Sequence, residues 1–420
     1  MKRLLLLAPV LLLVLLGTAP VAAETDIVVI ASDVQPSFPL EAVFTLEVES
    51  YAEIVDVRLR YRVDKMNYAE VVSEGWADFT PTNRTTANWR WDMRRGSLPP
   101  GAEVTYWWMI EDADGNRLET SPQVMHFDDN RFAWQSLTSL TDDGSELRLF
   151  WYQGSDSFAQ ELLAACEQGL ARLTEGIGAH PERPIEIYVY ASAGDLQGGM
   201  IFPQEWTGGV AFTEFSTIAI GIAPTRVDWG KRALVHELTH LVVHQVTFSP
   251  YGQLPTWLDE GLAMYNEGEL ESHFQSRLRT AIQDGSLISV RSLCSPFSAE
   301  SDKAYLSYAQ SYSLVEYLLD AHGPELMLEL LTVFKQGSTY DAALIEVYGF
   351  DIEGLDARWS ATLATSSLAD GSVPAGALQG RVWRSQPVLI VLVAVLVLWI
   401  ILTLAKRGRA SGQAAEEGEL

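Results

Sequence analysis

A five-residue motif near the middle of the chain, His236-Glu237-Leu238-Thr239-His240, constrains the fold and the chemistry more than any other stretch. It lies inside residues 228–246, whose apolar periodicity predicts a helix. Because an α-helix turns by about 100° per residue, side chains four residues apart lie on one face, one turn apart. The two imidazoles can therefore point at one place, as zinc requires of its nitrogen ligands. Burying these polar groups on an apolar helix costs free energy unless a partner compensates them.

The glutamate that follows the first histidine is predicted to have a role other than metal binding. Glu237 would lie beside a bound metal, where it can take a proton from a zinc-bound water and later give it to a leaving amine. A longer zinc motif, with glycine and histidine after the second histidine, is excluded because Val243 and Val246 occupy those positions. His244 is a further ligand candidate, but three ligands on one straight helix spread too far apart for a tetrahedral site. A structural helix with hydrogen-bonded core histidines is the alternative to metal binding.

A second motif, Trp257-Leu258-Asp259-Glu260-Gly261, opens another predicted helix, and the intervening residues are enough for a loop and an antiparallel return. Together the two motifs resemble those of the gluzincin metallopeptidases, in particular the peptidase MA-like group, which pairs H-E-x-x-H with W-L-x-E-G. The resemblance implies one Zn²⁺ per chain, held by His236, His240 and Glu260. Asp259 is then a candidate to hold one histidine in the tautomer that binds the metal.

The resemblance covers residues 145–365 and implies two further parts of a peptidase site. In gluzincins the strand before the zinc helix is a sheet edge on which extended substrate pairs through its backbone. The matching residues here are Gly209, Val210, Ala211, Phe212 and Thr213. Family members also place a tyrosine hydroxyl opposite the base to bind the oxyanion, which makes Tyr308 the first choice and Tyr312 the second. The alternatives are a strand that only fills the sheet and tyrosines that only pack.

Two regions of different periodicity make up the bulk of the chain. In residues 24–130 apolar and polar residues alternate, which predicts an all-β sandwich that loosely resembles immunoglobulin or fibronectin modules. Residues 131–365 mix strands with amphipathic helices, and the resemblance implies a thermolysin-like α+β metallopeptidase domain. The sandwich either binds a partner through its tryptophans or is a spacer that buries them, and we favour the spacer. The tryptophans are Trp89, Trp91, Trp107 and Trp108.

The two ends of the chain have the features of membrane-targeting segments. Residues 1–23 have a basic start, an apolar run and small residues at the end, which predicts a secretory signal peptide; an uncleaved anchor is the alternative. Residues 387–405 are uncharged and apolar and nearly span a hydrocarbon core of roughly 30 Å, which predicts one transmembrane helix. The basic residues that follow place the tail, residues 406–420, in the cytoplasm. Residues 366–386 are a predicted linker, so we expect a single-pass protein of the cell membrane with its bulk extracytoplasmic.

The composition argues against a nucleic-acid partner. With 55 acidic and 29 basic residues and a formal net charge of −26, the chain lacks the basic surface that nucleic-acid binding needs. The two cysteines, Cys166 and Cys294, leave a disulfide open. We therefore expect a membrane-anchored zinc metallopeptidase, either an endopeptidase or an aminopeptidase, that acts on a peptide or protein substrate. A zinc-containing surface receptor without turnover is the competing hypothesis, and the intact Glu237 argues against it.

Overall fold

The computed structural model describes residues 27–141, 144–202 and 208–370. The predicted signal peptide, transmembrane helix and tail, and the linker from residue 371 onward, lie outside these ranges. Among the helices that the structure describes, none has the length and apolar character needed to cross a bilayer. The described residues form a β-rich N-terminal region followed by a mixed region whose second half is helical.

The first region consists of strands that alternate buried and more exposed side chains, as a sheet with one face in a core requires. The strands are β1 (Val28–Ser37), β2 (Glu41–Glu49), β3 (Ile54–Val63), β4 (Ser73–Trp76), β5 (Arg84–Asp92), β6 (Ala102–Asp112), β7 (Arg117–Glu119) and β8 (Gln123–Phe127). One sheet has the order β1-β2-β5, and the other has the order β4-β3-β6-β7, with β8 also paired to β6. The predicted N-terminal β region is therefore confirmed.

The two sheets of this region share one apolar core. Phe44 of β2 and Tyr106 of β6 meet across it, with their ring centroids 4.9 Å apart. Trp108 is only 1 % exposed, and Trp89 and Trp91 pack against the same core. Each such ring removes roughly 150–250 Å² from water, so these tryptophans stabilise the sandwich. The burial of these three agrees with the core interpretation, whereas Trp107 lies on the other face of β6 and is only half-buried.

The second region begins with a mixed five-stranded sheet. Its strands are β9 (Gln135–Leu140), β10 (Glu146–Trp151), β11 (Ile185–Tyr190), β12 (Gly209–Phe212) and β13 (Thr217–Gly221). Their order is β12-β13-β11-β10-β9, with β10, β11 and β13 parallel and the two outer strands antiparallel to their neighbours. β12 therefore forms one edge of the sheet, and β13 lies between it and the helix that carries the first motif in the sequence.

Helices pack on this sheet and then form a lobe of their own. They are α1 (Asp156–Ile177), α2 (Ala193–Gly198), α3 (Val227–Val246), α4 (Thr256–Asn266), α5 (Ser272–Asp284), α6 (Val290–Leu293), α7 (Ser301–His322), α8 (Pro324–Lys335), α9 (Tyr340–Tyr348) and α10 (Ile352–Asp370). α10 extends past the predicted start of the linker at residue 366, because its alanines and leucines favour a helix. Cys166 in α1 and Cys294 after α6 are both free.

Two glycines let the helices around the motifs approach closely. Gly261 of α4 faces α7, and a Cβ atom at this position would lie 2.5 Å from the carbonyl oxygen of Ser311. Gly169 of α1 faces α3 in the same way, with Val235 methyl groups 3.2 Å from an added Cβ. A larger residue at position 261 would push α4 away from α7. The glycine that ends the W-L-D-E-G motif therefore sets the position of the neighbouring Glu260.

Candidate metal centre

Three side chains from α3 and α4 converge on one point. The Nε2 atoms of His236 and His240 lie 3.1 Å apart, and Glu260 Oε2 lies 3.5 Å from the first and 3.6 Å from the second. The group is buried, with His240 exposed by 4 % and Glu260 by 1 %. These atoms form one of the groups in the described residues that could hold a metal ion. The structure thus brings together the three residues that the sequence predicts as ligands.

The spacing of these three atoms suits a tetrahedral zinc ion. Ligand atoms bonded at roughly 2.0–2.2 Å and at tetrahedral angles are separated by about 3.3–3.6 Å, close to the observed distances. Within the described ranges, Glu260 Oε2 is buried without a hydrogen-bond partner, which is costly for a carboxylate oxygen unless a cation neutralises it. Two imidazoles and one carboxylate are also donors that zinc prefers. The site therefore fits a zinc ion.

The electrostatics of the group point the same way. Burial alone would lower the pKa of His236, but the neighbouring Glu260 and Glu267 outweigh it and raise the pKa to about 9. Burial also opposes the shift at His240, yet Asp259 and Glu260 raise its pKa well above the usual value. The imidazoles in turn lower the pKa of Glu260 despite its burial. The carboxylates thus attract positive charge to the site, and a divalent cation can replace the protons that the imidazoles would otherwise hold.

Asp259, next to Glu260 on α4, contacts two histidines at once. Its Oδ1 lies 2.9 Å from His240 Nδ1, and its Oδ2 lies 3.1 Å from His244 Nε2. Burial would raise the pKa of Asp259, but the two imidazoles outweigh it and hold the pKa well below its usual range. An ionised Asp259 accepts a hydrogen bond from His240 Nδ1–H and leaves Nε2 available to a metal.

A second carboxylate, which the sequence analysis missed, meets the other ligand histidine. Glu267 stands at the C-terminal end of α4, with Oε1 2.7 Å from His236 Nδ1. Arg232, one turn before His236 on α3, donates from Nη2 to Glu267 Oε2 at 3.0 Å. The signal that could have found it is spacing, since Glu267 follows Glu260 by two helical turns. Each ligand histidine therefore has a carboxylate on Nδ1, which fixes the orientation of its ring.

Glu237 points toward the edge strand instead of joining the ligand group. The backbone of Ala211 in β12 hydrogen-bonds to its carboxylate, and a Cβ atom at Gly209 would lie 3.2 Å from its Oε1. In the part of the chain that the structure describes, Oε2 is buried and has no hydrogen-bond partner. Burial is the main cause that raises the pKa of this carboxyl group. A buried carboxylate with an available oxygen and a raised pKa has the properties of a general base.

The predicted substrate strand corresponds to β12 and the turn that follows it. Gly209, Val210, Ala211 and Phe212 form the strand, which pairs antiparallel with β13. Thr213 begins a short 3-10 turn, Thr213–Phe215, and so lies just beyond the strand. Because β12 is an edge, one side of its backbone faces away from β13. The bond from Ala211 to Glu237 places that edge beside the candidate base.

The structure distinguishes between the two candidate tyrosines on α7. Tyr308 is 2 % exposed, and burial together with the carboxylates of Glu260 and Glu237 raises its pKa well above the usual value. Tyr312, one turn later, is half-buried, and its ring lies 5.7 Å from that of Tyr265. Its pKa rises to about 12 mainly through burial, with a contribution from Glu316 on its own helix. Of the two tyrosines, Tyr308 is therefore the buried one, and it interacts electrostatically with the carboxylates of Glu260 and Glu237.

The N-terminal region reaches the site through the loop between β3 and β4. The Met66 amide donates to the carbonyl oxygen of Glu214 at 2.7 Å, and Lys65 Nζ lies 2.6 Å from Glu214 Oε2. Glu214 belongs to the turn that follows β12. Tyr68 stacks on Phe248, which follows α3, with ring centroids 4.3 Å apart. The sandwich therefore contacts the turn after β12 and the residues that follow α3 directly.

Comparison with known families agrees with this geometry. Residues 165–365 match the family model described as Peptidase MA superfamily. The matched segment contains α3, α4 and α7, and with them every predicted ligand, the candidate base and both tyrosines. A search of curated proteins gives no significant match.

Several solved structures resemble the chain more distantly. An M1 zinc metallopeptidase from Deinococcus radiodurans shares 13 % identity, covers 81 % of this chain and 94 % of its own, and has a TM-score of 0.37. Catalytically inactive OgpA from Akkermansia muciniphila, in complex with an O-glycopeptide, shares 11 % identity over 25 % of this chain and 30 % of its own, with a TM-score of 0.20. A family 56 carbohydrate-binding module that binds β-1,3-glucan shares 14 % identity over 23 % of this chain and 95 % of its own, with a TM-score of 0.15. Superpositions this loose carry no argument about activity.

Proposed function

We propose that this chain, whose residues 165–365 match the Peptidase MA superfamily model, is a metallopeptidase of the gluzincin type that hydrolyses peptide bonds with one zinc ion held by His236, His240 and Glu260. The observation that carries the proposal is the convergence of three ligand atoms at separations of 3.1, 3.5 and 3.6 Å. Among the described residues, a carboxylate oxygen of Glu237 stays buried and unpaired nearby. A purely structural metal site would gain nothing from that oxygen, since an unpaired buried acceptor destabilises the fold.

The role of each residue follows from its position. When bound, zinc would polarise the scissile carbonyl and lower the pKa of a water molecule. Glu237 Oε2 accepts a proton from that water as the water oxygen bonds to the carbonyl carbon. The same carboxyl group then gives the proton to the amine nitrogen as the C–N bond breaks. The Tyr308 hydroxyl donates a hydrogen bond to the negative oxygen that develops on the former carbonyl, and the free edge of β12 receives the extended substrate backbone.

We place this activity on the outer side of the cell membrane. The support is the sequence of residues 1–23 and 387–405, an expected signal peptide and an expected single membrane span, both outside the described ranges. A protease added to intact cells should then digest the peptidase domain and leave the C-terminal tail. A domain that is protected until the membrane is opened would contradict this location.

Removing the metal tests the proposed function. The purified full-length protein, freed of metal by a chelator, should cleave no member of a mixed peptide library, because the substrate carbonyl and the water lose the charge that activates them. Adding one equivalent of zinc should restore cleavage, with products identified by mass spectrometry. Inhibitors of serine and cysteine peptidases should have no effect. Full cleavage by protein shown to be metal-free would contradict the proposal.

Replacing Tyr308 by phenylalanine should lower kcat by about 10²–10³-fold, the usual effect of losing one donor to an oxyanion. KM and zinc content should change little, because the ring still fills its buried place and the hydroxyl is not a ligand. Tyr312→Phe is the matched control, since it removes a hydroxyl one turn away on the same helix. Steady-state kinetics of both variants decide the assignment. A larger loss of kcat in Tyr312→Phe than in Tyr308→Phe would assign the oxyanion-binding role to Tyr312 instead.

A further inference from the structure

The carboxylate of Asp259 is shared between a predicted ligand and a histidine that the proposed mechanism does not use. His240 Nδ1 lies 2.9 Å from Oδ1, and His244 Nε2 lies 3.1 Å from Oδ2. The Asp259 side chain is only 17 % exposed, whereas that of His244 is 33 % exposed. Both oxygens of one largely buried carboxylate are thus held, and each is held by a different imidazole.

The helix explains why His244 faces Asp259. Residues 236, 240 and 244 follow one another at four-residue intervals on α3, so their side chains lie along one face. That face packs against α4, which carries Asp259. The ring of His244 is one turn too far along the helix to reach the place where His236 and Glu260 meet. Its nearest charged partner is the carboxylate of Asp259 instead.

The bridge matters for the way His240 can bind a metal. If His240 Nε2 binds zinc, its Nδ1 carries the proton and donates a hydrogen bond to Asp259 Oδ1. An aspartate carboxylate can rotate about its last side-chain bond, and any rotation would turn the plane of the His240 ring. We propose that His244 is a positioning residue, which holds Oδ2 of Asp259 so that Oδ1 keeps His240 in the orientation that binds zinc. This inference rests on the proposed function, because it concerns the same metal ion.

A second cation between His240, His244 and Asp259 is the main alternative, since these three residues also form a group that could hold a metal. The shortest distance in this group favours a hydrogen bond. His240 Nδ1 and Asp259 Oδ1 are 2.9 Å apart, whereas two ligand atoms of one tetrahedral zinc would be about 3.3–3.6 Å apart. A second ion would also have to compete with the first for His240. The arrangement therefore supports one metal with a positioned ligand rather than two metals.

The test compares the zinc affinity of two full-length variants with that of the natural chain. His244→Phe keeps a planar ring but removes the donor, whereas His244→Gln keeps an N–H at nearly the same distance from the backbone. Competition with a fluorescent zinc chelator should show zinc binding weakened by about 10–100-fold in His244→Phe, the range seen when a group behind a metal ligand is removed. His244→Gln should bind within about threefold of the natural chain, because its amide restores the hydrogen bond. A residue that only stabilised the fold would not give this difference.

A double-mutant comparison shows whether the effect passes through Asp259. In an Asp259→Asn background, His244→Phe should have no further effect on zinc affinity. The Asp259 carboxylate through which His244 would act on His240 is then already lost. Equal affinities for His244→Phe and the natural chain would overturn the inference, and so would an undiminished effect in the Asp259→Asn background. Two zinc ions in the natural chain and one in His244→Phe would favour the second-cation alternative and overturn it as well. If the natural chain itself binds no zinc, the proposed function fails, which distinguishes that outcome from a failure of this inference alone.

Discussion

Replacing Glu237 by glutamine is expected to lower kcat by about 10²–10⁴-fold while one zinc stays bound, since this is the range over which a positioned general base contributes. Glutamine has the shape of glutamate and still offers an oxygen to the Ala211 amide, but it cannot accept a proton at neutral pH. The proposed metal ligands are other residues, so zinc content should not change. KM should change by much less than kcat, because the loss concerns the transition state.

Three measurements on the same preparation make this result decisive. They are steady-state kinetics on one peptide, zinc content by mass spectrometry and the thermal unfolding midpoint. Glu269→Gln is a matched control, since it neutralises an exposed glutamate just after α4. If Glu237→Gln and Glu269→Gln both cleave at the natural rate, Glu237 is not the base and the proposed mechanism fails. Loss of zinc from Glu237→Gln would instead indicate that Glu237 is a metal ligand.

The second large effect is expected at Glu260. Glu260→Gln should release zinc, so that the metal content falls from about one ion per chain to near zero after dialysis against a weak chelator. Of the three converging side chains, Glu260 alone carries a negative charge. Its Oε2 lies 3.5 Å from His236 Nε2 and 3.6 Å from His240 Nε2, and glutamine removes this charge. Removing a group that only orients a ligand weakens metal binding by about 10–100-fold. The loss at Glu260 should be larger, because Glu260 is itself a proposed ligand. Peptide cleavage should disappear with the metal.

The control for Glu260 separates loss of metal from loss of fold. Far-ultraviolet circular dichroism of Glu260→Gln should match that of the metal-free natural chain, because the amide occupies the same space next to Gly261 and α7. A high zinc concentration should then restore part of the cleavage. If Glu260→Gln retains zinc at full stoichiometry after dialysis, Glu260 is not a metal ligand, and the proposed contribution of α4 to the site is wrong.

The sequence predicts this site well where the chemistry depends on local geometry. His236 and His240 are one turn apart on one helix, so their common face follows from helical period alone. The roles of Asp259 and Glu260 could be predicted because the two motifs together resemble those of the gluzincin metallopeptidases. The alternation in residues 24–130 predicts strands for the same reason, since the period of a strand is also local. In each case the pattern is independent of how distant parts of the chain pack.

Other parts of the site could not be predicted because they depend on tertiary packing. Glu267 meets His236 only because α4 lies beside α3, and its spacing of two turns from Glu260 gives the helix face but not the partner. The choice between Tyr308 and Tyr312 depends on the rotation of α7, which the close approach at Gly261 fixes. The contact of Met66 with the turn after β12 joins residues that are far apart in the chain. These are the features that only a three-dimensional arrangement reveals.

The central claim is that two imidazoles and one carboxylate hold a single zinc ion beside Glu237. X-ray absorption at the zinc edge of the purified full-length protein tests it most directly. The account predicts one zinc per chain, with two imidazole nitrogens and oxygen ligands at roughly 2.0–2.2 Å and no sulfur. A protein that takes up no zinc, or a zinc ion bound by the sulfur of Cys166 or Cys294, would contradict it.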